Sequence, residues 1–108
     1  SAASDVYKRQ KVNYHGTLRT GDVFDSTKDR KQPATFRLDR VIPCWTEGVQ
    51  KMKVGGKVDL YCPSEIAYKD RGAPPRIPPG AALKFEVELL EIIKDEESKD
   101  KKKKDKKK

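Results

Sequence analysis

Apolar and polar side chains alternate with period two in four stretches of this chain, and each stretch predicts a half-buried β-strand. Val12, Tyr14, Gly16 and Leu18 oppose Asn13, His15, Thr17 and Arg19 over residues 11–19. Phe36 and Leu38 stand one residue apart in 34–38, and Val58, Leu60 and Cys62 oppose Lys57, Asp59 and Tyr61. Leu83, Phe85, Val87 and Leu89 oppose Lys84, Glu86 and Glu88, in a run that turns apolar on both sides through residues 90–93. Thr20-Gly21-Asp22 is a turn signal that folds a fifth strand, residues 23–26, back on the first as a hairpin. The period changes once, where Val41-Ile42-Pro43 leads into a short helical pattern over residues 45–52 that begins at the only tryptophan, Trp45. Pro43 suits a helix entry because its φ is fixed and it has no N–H to leave unpaired. The order is strand, strand, strand, helix, strand, strand. Hairpin-length connections favour an antiparallel sheet, and one helix must cover its apolar face, so the fold class is α+β.

The connections carry their own signals. Residues 27–33 are polar and charged, and Lys53-Val54-Gly55-Gly56 is a turn. Residues 63–80 form a long loop with five of the seven prolines, and Tyr68 and Ile77 are embedded in it. A proline-stiffened loop of that length in a small domain points to function.

Composition changes the picture at both ends. Residues 94–108 hold no apolar side chain and carry nine Lys against five Asp/Glu, half of the net charge of +8. Such a segment cannot offset its ordering entropy, and a disordered Lys-rich tail that aids solubility is expected. Specific nucleic-acid binding is not expected, because the part of the chain that folds is only mildly basic. Asp5-Val6-Tyr7-Lys8-Arg9-Gln10 matches the translation of a transposon-end adapter, so residues 1 to about 10 read as a non-native scar and 11–93 as the domain. Cys44, Cys62 and the lone His15 have no partners at metal-ligand spacing, so no metal and no cofactor is expected. The two cysteines are either buried free thiols, the favoured reading where the compartment is unspecified, or one disulfide.

Tyr14, Phe24, Trp45, Tyr68 and Phe85 come from five different segments, and their convergence would build a concave aromatic site. No nucleophile–base set, phosphate loop or paired-carboxylate motif accompanies them. An aromatic pocket without such machinery is a binding module or a catalyst that makes no bonds. Prolyl isomerisation is a reaction of that kind, because its barrier of about 18–20 kcal/mol is amide resonance.

Several phrases in one order carry a resemblance: Val12-Asn13-Tyr14-His15-Gly16-Thr17-Leu18, residues 21–25, residues 41–48, Gly55-Gly56, Ala67-Tyr68, Ile77-Pro78-Pro79 and residues 83–90. Over residues 11–93 the chain resembles the FKBP-type peptidyl-prolyl cis–trans isomerases, in wording closest to the bacterial macrophage infectivity potentiator-like group. The resemblance implies a twisted five-stranded antiparallel sheet wrapped around one short helix, the family's first edge strand being missing here. It implies Trp45 under the proline ring, Tyr14, Phe24 and Phe85 as walls, and Val41 and Ile42 as rim. The Ile42 N–H and the Tyr68 hydroxyl would hold substrate carbonyls, and Asp25 would orient the site with Arg30 as its partner. Ala73 and Ile77, in the proline loop, complete the expected ligand contacts. Phe36, Leu60, Val87 and Leu89 are assigned to the core alone.

The departures from the family are specific. Ala34 replaces an aromatic wall, Lys69 replaces a glycine after the loop tyrosine, and Arg76 should favour acidic or polar residues beside the substrate proline. Cys44 stands where glycine is common. Cys62 lies beneath it in the family fold, so an oxidising compartment would permit a disulfide. The resemblance further implies proline-containing polypeptide clients, macrolide inhibitors of the rapamycin type, and a bacterial cell-envelope location favoured over the cytoplasm. Any dimerisation would run through an absent N-terminal segment. The competing reading is a non-catalytic peptide-binding or chaperone module of the same fold.

Overall fold

The structure is a computed structural model that describes residues 7–93. The expected Lys-rich tail, and all of the expected scar before residue 7, lie outside the described residues.

The first strand, β1 (Arg9–Leu18), has partners on both edges. Along one edge it pairs with the last strand, β5 (Leu83–Ile93), from Arg9 opposite Ile93 to Leu18 opposite Leu83. The other edge is shared. Strand β2 (Val23–Ser26) takes its C-terminal half, with His15 opposite Ser26, and β3 (Ala34–Arg37) takes its N-terminal half, with Val12 opposite Ala34. Strand β4 (Lys57–Cys62) lies on the far edge of β5. All pairings are antiparallel, giving the order β2-β1-β5-β4 with β3 beside β1. The period-two reading and the α+β class match this five-stranded sheet.

Two helical elements interrupt the strands. A single turn, α1 (Thr27–Arg30), occupies the segment read as a loop; Ser26 caps it by accepting the Lys28 N–H at 3.1 Å, and Lys31 closes it in the left-handed region at φ 57°. The main helix, α2 (Pro43–Val49), starts two residues before the predicted span and ends three before its end. It buries Cys44, Trp45 and Val49 against the inner face of the sheet, where Val12, Tyr14, Phe85, Val87 and Leu89 wait. Gly48 lets the helix lie close on β4, because a Cβ there would sit 2.5 Å from a Leu60 methyl.

Other boundaries differ for physical reasons. β1 begins at Arg9 rather than Lys11, because the long β5 and β3 both supply partners, and Gln10 is buried within the sheet. Leu38 falls in a 3₁₀ turn (Leu38–Arg40) rather than in β3, though its side chain is fully buried. Val58, read with Leu60 and Cys62 as core-facing, is 37% exposed. Cys44 meets Cys62 and Gly48 meets Leu60, so α2 would need one further turn to cover Val58, and it ends at Val49.

Leu89 is wholly buried at the centre of this core. Leu89→Ala is expected to lower stability by about 2–5 kcal/mol in chemical denaturation; a loss below about 1 kcal/mol would mean that the core collapses around the truncation.

Candidate active site

A cavity of about 420 Å³ opens where α2 meets the sheet. Its interior is aromatic. Trp45, only 4% exposed, meets Tyr14 at 5.3 Å, Phe85 at 5.3 Å and Phe36 at 5.5 Å between ring centroids, all edge-to-face. Phe24 meets Phe85 edge-to-face at 5.4 Å. Edge-to-face packing sets the positive rim of one ring on the negative face of the next.

Gly16 makes the Phe24 contact possible. It pairs with Phe85 on one side and Asp25 on the other, and the β1–β2 register shifts between Gly16 and Thr17. A Cβ at Gly16 would lie 2.6 Å from the Phe24 ring. The two phenylalanines therefore meet across a strand that carries no side chain there.

The polar wall is one connected network. Tyr14 donates its hydroxyl proton to Asp25 Oδ2 at 2.6 Å, and Arg30 donates to Asp25 Oδ1 at 2.8 Å and to the Tyr14 hydroxyl at 3.1 Å. The single turn of α1 aims Arg30 inward, and the buried Thr27 locks that turn to β1 by accepting the Tyr14 N–H at 3.0 Å. Burial is the largest single influence on the Asp25 carboxyl and opposes ionisation. The Tyr14 and Arg30 hydrogen bonds and the Arg30 charge together outweigh it and hold the group below its ordinary value of 3.8. Tyr14 is pushed up, first by burial and then by its bond to Asp25. Asp25 is thus a pinned anion at the cavity wall.

Val41, Ile42 and Tyr68 stand at the mouth. Tyr68 is 37% exposed, and its hydroxyl has no hydrogen-bond partner among the described residues. Burial and the nearby Asp25 charge raise its pKa, so it keeps its proton to donate. Further along the loop that presents it, Ala73 and Ile77 exchange backbone bonds of 2.8 and 3.0 Å and close the turn between them. Lys69, read above as replacing a glycine, adopts φ 54°, the left-handed region that favours glycine. Its carbonyl accepts from the Gly72 and Gly80 N–H groups, which holds the turn. Arg76 donates to the Phe24 carbonyl at 2.9 Å and ties the loop to β2.

Of the residues expected in the site, Tyr14, Phe24, Asp25, Val41, Ile42, Trp45, Tyr68 and Phe85 line the cavity. Arg30 stands behind Asp25 rather than in the lining. Ala73 and Ile77 are not among the lining residues either; Ile77 is core, 5% exposed. Two lining residues escaped the sequence reading. Phe36, assigned to the core alone, forms a wall, and Arg40 lies at the edge. A period-two pattern shows that Phe36 faces inward, but cannot tell a cavity wall from a filled core. The adjacency of Arg40 to Val41 was the available signal. Cys44 and Cys62 are paired as a disulfide.

A family model described as FKBP-type peptidyl-prolyl cis-trans isomerase matches residues 2–90. The chain belongs to the FKBP-type peptidyl-prolyl cis–trans isomerase family. Among curated members of this FKBP-type family, FkpA of Aeromonas hydrophila is 53% identical over 92 residues, 85% of this chain and 33% of that protein. FK506-binding protein 1 of Rhizopus delemar is 48% identical over 83 residues, 75% of this chain and 77% of that one. The crystal structure of FkpA from Escherichia coli superposes with a TM-score of 0.77 at 48% identity, covering 81% of this chain and 40% of that one. The chain spans about a third of the length of the curated FkpA relatives it matches. The FKBP-type fold, one main helix on an open five-stranded antiparallel sheet, is the architecture described above.

Two expectations follow from the geometry. Gly16→Ala should displace the Phe24 ring and weaken the Phe24–Phe85 contact; unchanged ring-proton shifts for Phe24 by NMR would refute this. The pH expectation concerns Asp25. A carboxyl with a depressed folded pKa adds stability above its unfolded value and loses it as pH falls through the folded value. Tyr14→Phe should therefore raise the Asp25 midpoint toward 3.8 in a carboxyl-carbon NMR titration and move acid unfolding to higher pH; a midpoint that stays put would refute a Tyr14 contribution and leave Arg30 and the Ser26 backbone bond as the cause.

Proposed function

We propose that this domain accelerates cis–trans rotation about Xaa-Pro bonds in polypeptide clients. The observation that carries the reading is the aromatic cavity closed by Trp45 and edged by an unpartnered Tyr68 hydroxyl and a pinned Asp25 carboxylate. Family membership supports the same reaction and proline-containing substrates.

The chemistry requires no bond to form or break. In the planar amide, resonance shortens the C–N bond and enlarges the carbonyl dipole; in the twisted amide both effects are lost. Apolar walls penalise the planar dipolar form more than the twisted one, so the cavity binds the transition state preferentially. The proline ring would rest against Trp45, between Tyr14, Phe36 and Phe85. The Tyr68 hydroxyl would donate to one substrate carbonyl. The Ile42 N–H, which has no acceptor among the described residues, would donate to another. Both donors are fixed by backbone, Ile42 as the residue capping α2 and Tyr68 by its closed loop. Asp25, held by Tyr14 and Arg30, would face the twisting amide and orient its dipole. Macrolides of the rapamycin type would compete for the same cavity, and the Rhizopus relative carries FK506 binding in its name.

The test is catalysed isomerisation of a Xaa-Pro tetrapeptide, with and without rapamycin. The uncatalysed step takes tens to hundreds of seconds, so acceleration is easily resolved. Tyr68→Phe removes one substrate hydrogen bond and should lower kcat/KM by about 2- to 10-fold, and Trp45→Ala should lower it further. Rapamycin binding by a folded chain without acceleration would make the domain a non-catalytic binding module instead.

A further inference from the structure

Helix α2 spans only seven residues, and its capping residue Ile42 offers no side-chain acceptor. A helix of two turns does not hold itself in water; tertiary contacts must place it. Successive side chains on a helix diverge by about 100°, so Cys44, Trp45 and Thr46 leave the first turn in three directions. Thr46 donates its hydroxyl to the Leu38 carbonyl in the 3₁₀ turn that follows β3. Cys44 is bonded in the opposite sense, to Cys62 at the end of β4, with Cα atoms 5.7 Å apart. Trp45 lies between these two anchors and points at the cavity. Cys62 is also where the chain leaves β4 for the loop that presents Tyr68. The crosslink therefore joins the element carrying the cavity's interior ring to the root of the element carrying its mouth donor.

We propose that the Cys44–Cys62 disulfide is a positioning element of the cavity, and that the oxidised chain is the working form. It fixes the entry of α2 against β4 and so sets where Trp45 and Tyr68 stand relative to each other. Both cysteines are buried, at 6% and 1% exposure, which suits a permanent brace rather than a bond that opens and closes in service. Reduction adds two electrons and two protons, breaks the Sγ–Sγ bond and leaves two thiols; a dithiol such as dithiothreitol supplies both and closes to its own cyclic disulfide. Without the crosslink, the first turn keeps the Thr46 bond and the ring contacts of Trp45 but loses the covalent tie that fixes its distance from β4, and Trp45 can shift against its neighbours. The catalytic half of this inference rests on the proposed isomerase activity; the positional half does not.

The experiment compares the full oxidised chain, the same chain held in dithiothreitol, and Cys44→Ala/Cys62→Val, which removes the crosslink and keeps both positions apolar. Trp45 is the only tryptophan, so emission excited beyond the tyrosine absorption edge, and the long-wavelength tryptophan bands of the near-ultraviolet circular dichroism, report this site. Both uncrosslinked forms should stay folded by far-ultraviolet circular dichroism, lose the sharp Trp45 bands, emit at longer wavelength and show kcat/KM roughly 3- to 10-fold lower, since small misplacements at a site carry large rate penalties. A lower Tm with unchanged Trp45 signals and unchanged kcat/KM would overturn the proposal, leaving a bond that only resists unfolding. An intact mass showing two free thiols in protein purified without reductant would overturn it as well. If the double variant fails to fold, the reduced wild-type chain decides. If the oxidised chain does not isomerise the peptide, that result counts against the proposed function, and the Trp45 signals alone decide the brace.

Discussion

The β1–β5 ladder is the constraint on which the site depends. It runs antiparallel from Arg9 opposite Ile93 to Leu18 opposite Leu83, and both strands hold cavity residues at neighbouring positions. Tyr14 lies opposite Val87, and two residues on Gly16 lies opposite Phe85. A slip of β1 by one residue would send Tyr14 to the solvent face, and a slip of β5 would do the same to Phe85, because side chains alternate across a sheet. The hydrophobic pattern forbids either slip: Val12 would leave the core with Tyr14, and Val87 and Leu89 with Phe85. The register that fills the core is the register that builds the cavity, and no separate device is needed to align the rings.

What makes the cavity a cavity, rather than more core, is an omission. Gly16 has no side chain where an ordinary strand would place one, and Phe24 and Phe85 close over the gap. The rings then form walls that pack on one another and leave room in front of Trp45. Charge is handled with similar economy. Burial opposes the charge on the Asp25 carboxyl. Tyr14 and Arg30 outweigh that by taking both of its oxygens, and hold the group below its ordinary value. Tyr14 serves both purposes, as an aromatic wall and as the donor that keeps the anion in place.

The strands and the core were legible in the sequence because period-two alternation is a direct consequence of the pleat. Most of the cavity was legible too, but through phrases such as Val41 to Gly48 rather than through periodicity. What escaped reading depended on contacts distant in sequence. The turn at α1 is four residues long, too short for any period, and is built by Ser26 and Thr27 contacts. Phe36 was known to face inward but not to face a space. The Ala73–Ile77 backbone pairing, which closes a turn within the proline-rich loop, has no period to announce it. Val58 obeys the strand pattern and is still exposed, because the helix above it stops one turn short.

The long loop shows how a flexible-looking segment can hold a hydroxyl in place. The Arg76 guanidinium donates to the Phe24 carbonyl, 52 residues away in the chain. That bond, the Ala73–Ile77 pairing and the two N–H groups on the Lys69 carbonyl fasten the loop at three points around Tyr68. Lys69 sits in a left-handed conformation that a side-chain-bearing residue adopts at a penalty of about 1–2 kcal/mol. Its retention there is explained if those backbone bonds outweigh the penalty. The loop thus reaches the geometry a glycine would permit freely, by fastening the residues around it, and Tyr68 keeps a hydroxyl with no hydrogen-bond partner among the described residues at the mouth of the aromatic cavity.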